Sequence, residues 1–249
     1  MEKCFIPSLS VSEARRLFEK KARFLGMLNL KGEVEQVLLG YTPVASYNLR
    51  KTARFNQSPR RVREWGNVFH VDLNNLEIYY CYRNPLTRET SVKSVSFLRQ
   101  VVDLPSNALR LLSLFLESGE INVKNLGEEE KNFFIENTTE LDLLVKRGLI
   151  LVKQDGLGFL SHVRFTSPGD VRYDLGSFLE VFGSRETMDF VAPILNEPGD
   201  LLGVLTSVLG CEGFFEEIVY LPFYQCKYRK AESVYFERLL SAKLRGEDG

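Results

Sequence analysis

The chain has 249 residues, 44% hydrophobic and 26% charged, with 32 basic side chains against 33 acidic ones. That composition supplies a substantial core and excludes a disordered polypeptide, while the formal net charge of -1 excludes an overall attraction to nucleic acid or a membrane surface. Any such contact must come from a local patch.

No apolar run approaches the length of a bilayer span, so no membrane contact is expected, and Met1 to Pro7 lacks the apolar stretch of a signal peptide. Cys4, Cys81, Cys211 and Cys226 are scattered, with no Cys-x-x-Cys pair and no histidine near any of them. That pattern indicates neither a zinc site nor a disulfide framework, and the expected compartment is the reducing cytoplasm. Disorder is expected only at Gly246 to Gly249.

Near the start, Ser10-Val11-Ser12-Glu13 has the spacing of a capping box, in which hydroxyl and carboxylate satisfy each other's backbone amides. Ala14, Leu17, Phe18, Ala22 and Leu25 then recur at helical spacing, with Gly26 as a stop. Alternating or β-rich segments follow at Val34 to Leu39, Tyr41 to Arg54, Asn67 to Leu73 and Leu76 to Tyr82. The last two meet at Asn74-Asn75, a pair that tolerates the positive φ of a tight hairpin. A helix opening on Ser10 to Ala14 ahead of a meander of strands is similar to the PepSY and cystatin-like α+β units. That resemblance implies a scaffold and carries no catalytic residues.

In the middle third, Ser106 to Ser118 predicts a helix ended by Gly119 and followed by a short strand. A second helix is expected at Glu128 to Glu136. A third begins among Asn137, Thr138 and Thr139, buries Leu141, Leu144 and Val145, and stops at Gly148. Leu149 to Lys153 and Phe159 to Phe165 flank a Gln154-Asp155-Gly156 turn as a hairpin. Helix, short strand, helix, helix and hairpin over about Asp103 to Pro168, with Leu144-Val145-Lys146-Arg147-Gly148-Leu149 before the wing, resembles a winged-helix domain.

Pro168-Gly169-Asp170 marks a boundary. Helices are expected beyond it around Ser177 to Phe182, Met188 to Leu195 and Asp200 to Leu209, then strands at Ile218 to Lys230 and Ser233 to Leu240. The first of these strands restates an earlier one. Tyr41-Thr42-Pro43 and its alternating run to Arg50-Lys51 are matched by Tyr220-Leu221-Pro222 and the run to Arg229-Lys230. Val234-Tyr235-Phe236 can then be laid over Val68-Phe69-His70, which leaves Thr52 to Gly66 as an extra stretch in the first copy. The organisation is therefore α+β. Two related helix-plus-antiparallel-sheet units, over residues 1-100 and 169-249, flank a winged-helix module over 101-168.

The extra stretch holds Arg54, Arg60, Arg61 and Arg63, continues from Arg50-Lys51, and includes Phe55, Trp65 and one acid, Glu64. Guanidinium forks suit phosphate oxygens and rings among them can stack on bases, so this is the main candidate contact for DNA or another polyanion. The winged-helix resemblance implies a third helix laid in the major groove, with Lys146, Arg147 and Lys153 as secondary contacts. Yet that helix presents Glu140 and Asp142 after Glu128-Glu129-Glu130 and Glu136, and carboxylates oppose phosphates. Docking of a protein partner on the acidic face therefore stands beside DNA.

Gln225-Cys226-Lys227 resembles the glutamine-x-lysine variant of the restriction-endonuclease-like nucleases, with Glu216 or Glu217 as the upstream carboxylate and magnesium-assisted phosphodiester hydrolysis as the implied reaction. The repeat accounts for the same strand without catalysis, since Ser46-Tyr47-Asn48 occupies the matching positions. His70 and His162 lie in predicted strands without an acid or nucleophile partner. One member each of Tyr79-Tyr80 and Phe214-Phe215 is expected to be exposed. No glycine-rich phosphate loop or Gly-x-Ser-x-Gly elbow occurs. The expected function is a non-enzymatic cytoplasmic binding or regulatory protein associated with DNA, with no catalytic residue, metal or cofactor assigned. The alternatives are a protein-interaction adaptor without nucleic-acid contact and a metal-dependent nuclease.

Overall fold

A computed structural model describes residues 3-22, 32-51, 65-83, 90-118, 120-121, 127-153, 156-159, 171-172, 175, 179, 181-182 and 190-242. The predicted stop at Gly26, the wing beyond residue 159, His162 and the tail at 246-249 lie outside the described residues. The first elements are β1 (Lys3–Phe5), α1 (Val11–Ala22), β2 (Glu33–Lys51), β3 (Trp65–Asp72), β4 (Ile78–Arg83) and β5 (Thr90–Val95). They are followed by α2 (Phe97–Val101), α3 (Ser106–Ser118), β6 (Glu120–Ile121), α4 (Glu128–Glu136), α5 (Thr138–Lys146), β7 (Ile150–Lys153) and β8 (Gly156–Phe159). The last are β9 (Val171–Arg172), β10 (Val181–Phe182), β11 (Phe190–Val191), α6 (Pro198–Leu209), β12 (Glu212–Lys230) and β13 (Ser233–Leu240). The fold is α+β.

The two restated strands are β2 and β12, and they pair with each other, antiparallel, from Glu212 opposite Arg50 to Arg229 opposite Glu33. Tyr220 faces Pro43, Pro222 faces Tyr41, and Leu221 faces Thr42 between them. The repeated motif thus meets itself about a local two-fold axis through the Thr42–Leu221 pair. The neighbouring elements obey the same axis. Parallel to β12 runs β1, Lys3 opposite Val219 and Cys4 opposite Tyr220. Parallel to β2 runs β11, Phe190 opposite Gly40 and Val191 opposite Tyr41. Hairpin strand β3 leaves β2 with Trp65 opposite Lys51, as β13 leaves β12 with Ser233 opposite Lys230. A strand-helix-strand-strand unit therefore occurs twice, and its copies interlock in one sheet of order β10-β1-β12-β2-β3-β4-β5.

Both helices have 12 residues and bury the same positions: Ala14, Phe18 and Ala22 in α1, Leu201, Leu205 and Leu209 in α6. The spacing of four puts each set on one stripe. α1 clusters with Tyr224, Cys226 and Tyr228 of the other copy, and α6 with Ala45, Tyr47 and Leu49. Phenol groups fasten these crossings, since Tyr224 donates to the Leu9 carbonyl, Tyr228 to Phe18 at 3.3 Å, and Tyr47 to Pro198 at 2.9 Å. Between the helices, the equivalent Tyr41 and Tyr220 are both buried beside Cys4. On the other face, Val44 opposite Val219 forms an apolar patch with Leu221, Phe5 and Tyr79.

Local chemistry sets the element ends. The capping box forms, with Ser10 N donating to Glu13 Oε2 at 2.7 Å and Glu13 N to Ser10 Oγ at 3.3 Å. Two hydrogen bonds to Ser10 hold the Glu13 carboxyl below its ordinary pKa. α6 opens on Pro198 and ends at Gly210, in the left-handed region at φ 58°. At the turn after β3, the left-handed residue is Leu76 (φ 56°) rather than either asparagine, and Asp72 accepts from the amides of Asn74 (2.7 Å) and Asn75 (3.0 Å).

Several expectations need correction. No helix spans 188-195, because Phe190-Val191 pairs with β2, and Val181-Phe182 pairs with β1 in place of the end of a helix. Two-residue apolar runs carry no period, so pairing with an existing edge decides them. Tyr235 stands opposite Tyr228, and Asn67 opposite Leu49, so Tyr235 corresponds to Asn67, two residues from the overlay drawn from sequence. A two-residue slip keeps each side chain on its face, which hides it from pattern matching. The segment at Gly40 does not divide β2 into two strands, and the second wing strand begins at Gly156.

The intervening stretch adds β4 and β5 to the sheet, then α2, then α3-β6-α4-α5-β7-β8, whose strands make a small sheet of order β6-β8-β7. Its apolar residues do not form a core of their own. Leu111, Leu112, Phe115 and Leu144 belong to the same buried cluster as Leu201 and Leu205 of α6 and Tyr47 and Leu49 of β2.

Candidate functional site

The basic stretch begins at the end of β2. Arg50 is exposed there, while Lys51 closes the strand opposite Trp65. Arg54, Arg60, Arg61 and Arg63 lie outside the described residues. The two-fold axis relates Arg50 to Arg229, and the two differ in one respect. Arg229 is neutralised by Glu35 at 2.7 Å, which also holds Lys227 at 2.8 Å. These cations, the Lys227 hydrogen bond foremost, hold the Glu35 carboxyl below its ordinary pKa. At the other end the near-equivalent acid, Glu216, accepts from Asn48 rather than from an arginine, Phe214 opposite Asn48 is 51% exposed, and Arg50, opposite Glu212, makes no ion pair among the described residues. One end of the sheet therefore engages its arginine in an ion pair, and the other presents Arg50 and Phe214 with exposed Glu212 across the ladder. Phe214 and Phe215 pair in unbroken register with Asn48 and Tyr47 and so point to opposite faces, yet both are exposed, Phe215 with its ring 6.0 Å from that of Tyr47.

The three-helix module offers a different surface. Arg147 bonds both carboxylate oxygens of Asp103, at 2.5 and 2.8 Å, and donates to the Gln100 carbonyl at 2.9 Å. This fork lowers the Asp103 pKa and raises that of Arg147. Arg147 is thus committed to joining α5 to the α2–α3 turn. Lys146 is exposed on α5, and Lys153 ends β7 with its side chain outside the described residues. Around them Glu128, Glu129, Glu136 and Asp142 are exposed, and Ile135 in the last turn of α4 is 70% exposed.

The Gln225-x-Lys227 strand is not joined by its upstream acids. Glu216 receives Asn48 Nδ2 at 3.0 Å and Glu217 receives Lys3 at 2.5 Å, both on the far half of β12 from Lys227. At roughly 3.3 Å per residue that separation exceeds about 30 Å. Glu35 and Glu216 are instead near-equivalent bulge residues, each bonding the cross-strand side chain at a two-fold-related site, Lys227 or Asn48. His70 is buried in β3 and meets Phe5 edge-on at 6.4 Å. Among the described residues no three His, Cys, Asp or Glu side chains converge as a metal site, and no helix is long and apolar enough to cross a membrane.

The β1/β11 match escaped sequence reading. Its trace there is an apolar pair shortly before a proline ahead of each helix, Cys4-Phe5 before Pro7 and Val191-Ala192 before Pro193. Comparison with known proteins finds no matching family model, curated protein or solved structure.

Proposed function

We propose that the chain is a non-enzymatic binding protein that contacts a polyanion, DNA in the first instance, from the β2–β3 end of its sheet. The observation that carries this reading is Arg50, which makes no ion pair among the described residues and lies beside exposed Phe214, whereas its two-fold mate Arg229 is neutralised by Glu35. Arg50 leads directly into Arg54, Arg60, Arg61 and Arg63. Phosphate oxygens reward such forks, and aromatic side chains nearby add stacking. The module's α5 takes no part in the groove, since Arg147 is committed and the surrounding carboxylates repel phosphate. Fluorescence anisotropy with a labelled duplex tests the reading. Low-salt binding should weaken steeply with added salt, and neutralising Arg50, Arg60, Arg61 and Arg63 should flatten the log–log slope by about 0.9 for each phosphate that is no longer neutralised. An unchanged slope removes the patch.

A second reading, an adaptor that never touches nucleic acid, is favoured by the acidic α5 face and exposed Ile135. It requires no duplex binding even at low salt. It also requires a protein partner retained by the wild type and released by Glu136→Lys with Asp142→Lys.

A further inference from the structure

The sheet face opposite α1 and α6 holds a cavity of about 630 Å³, reached by residues of β2, β4, β5, α2, β12 and β13. That volume lies within the range of small-molecule sites. Thr42 lies in its wall, at the two-fold axis. The position related to Thr42 is Leu221, packed in the apolar cluster of the same face. Thr42 is 1% exposed, and its Oγ1 is the one buried side-chain polar atom among the described residues without a hydrogen-bond partner. A buried hydroxyl with no partner destabilises, and a side chain like that of Leu221 would avoid the penalty. A threonine is explained there if its hydroxyl serves something that enters the cavity.

The charged groups around it favour an anion. Arg99 and Arg238 line the cavity against one acid, Glu77, which Arg99 already holds at 3.3 Å, while Lys93 of the β5 wall stands opposite Tyr80, on the other face of the sheet. The Arg238 guanidinium lies over the Phe223 ring at 4.5 Å and makes no ion pair among the described residues. Stacking fixes the plane of the fork and leaves its N–H edge available for two parallel hydrogen bonds. Half-buried Val92 and Leu240 supply apolar wall.

We propose that this cavity binds a small organic anion, its carboxylate or phosphate held by Arg238 and the Thr42 hydroxyl and its apolar body against Val92 and Leu240. The site is independent of the polyanion contact at the β2–β3 end.

Isothermal titration of the full chain with benzoate, phenyl phosphate, inorganic phosphate and neutral benzyl alcohol tests it. Saturable one-site binding of benzoate or phenyl phosphate is expected, and the tighter of the two identifies the anionic group. Arg238→Gln should weaken it about tenfold or more, and the isosteric Thr42→Val several-fold. Benzyl alcohol should not bind. The proposal is overturned if neither organic anion saturates the protein by roughly 10 mM, or if both variants bind as the wild type does. Inorganic phosphate binding as tightly as phenyl phosphate overturns the organic body of the ligand. Circular dichroism checks each variant, and Thr42→Val carries the test alone should Arg238→Gln unfold.

Discussion

Ala231 takes a left-handed φ of 52° in the two-residue loop between β12 and β13. An L-residue is strained there by about 1–2 kcal/mol, whereas glycine is not, though glycine gives back part of the gain through its freer unfolded state. Ala231→Gly should therefore stabilise by roughly 0.5–1 kcal/mol in urea unfolding, and a lowered midpoint would contradict the turn geometry. Gly32 shows the opposite case. Its φ is 93°, and a Cβ there would overlap the Arg229 carbonyl at the end of the β2–β12 ladder. Gly32→Ala should destabilise by about 2 kcal/mol or more, since neither backbone nor ladder can yield. Asp72 is fully buried and accepts from Asn74, Asn75 and the Tyr79 hydroxyl at 2.9 Å. Asp72→Ala strands these donors and should cost about 3 kcal/mol or more, read as a fall in the urea midpoint.

Among the elements, the bond from Arg147 to Asp103 ties α5 to the segment that follows α2, and α2 also places Arg99 in the cavity wall. Because the Asp103 carboxyl is depressed in the folded chain, its contribution is present above the ordinary carboxylate pKa and is lost as pH falls through the folded value. The melting-temperature gap between wild type and Asp103→Asn should be present at neutral pH and close in acid. The pair is largely solvent-exposed, so the gap itself should be small. How legible an element was depended on whether its cause was local. The capping box, Gly148 and Gly210 write the ends of α1, α5 and α6 into adjacent residues. The strands β10 and β11 have two residues each and exist because β1 and β2 offer edges to them, so nothing nearby announces them. The candidate site divided in the same way. Arg50 and its basic neighbours stand out by composition, but the pairing of Arg229 with Glu35 that sets Arg50 apart joins residues far apart in the chain. The cavity around Thr42 collects six elements and has no contiguous signature.

At the level of the molecule, the copies are interdependent. β2 without α6 leaves Tyr47 and Leu49 facing water, and the module shares its buried cluster with the same helix. A fragment of residues 1-100 should therefore lack a cooperative unfolding transition, which calorimetry of the isolated fragment can check. Two-fold partners made of separate chains are bound to carry every embellishment in duplicate. Joined in a single polypeptide, the halves are released from that obligation: one turns its hairpin in two residues while the other extends it with arginines, and one keeps leucine on the axis where the other places a hydroxyl. Asymmetry of this kind lets a single cradle hold an asymmetric ligand.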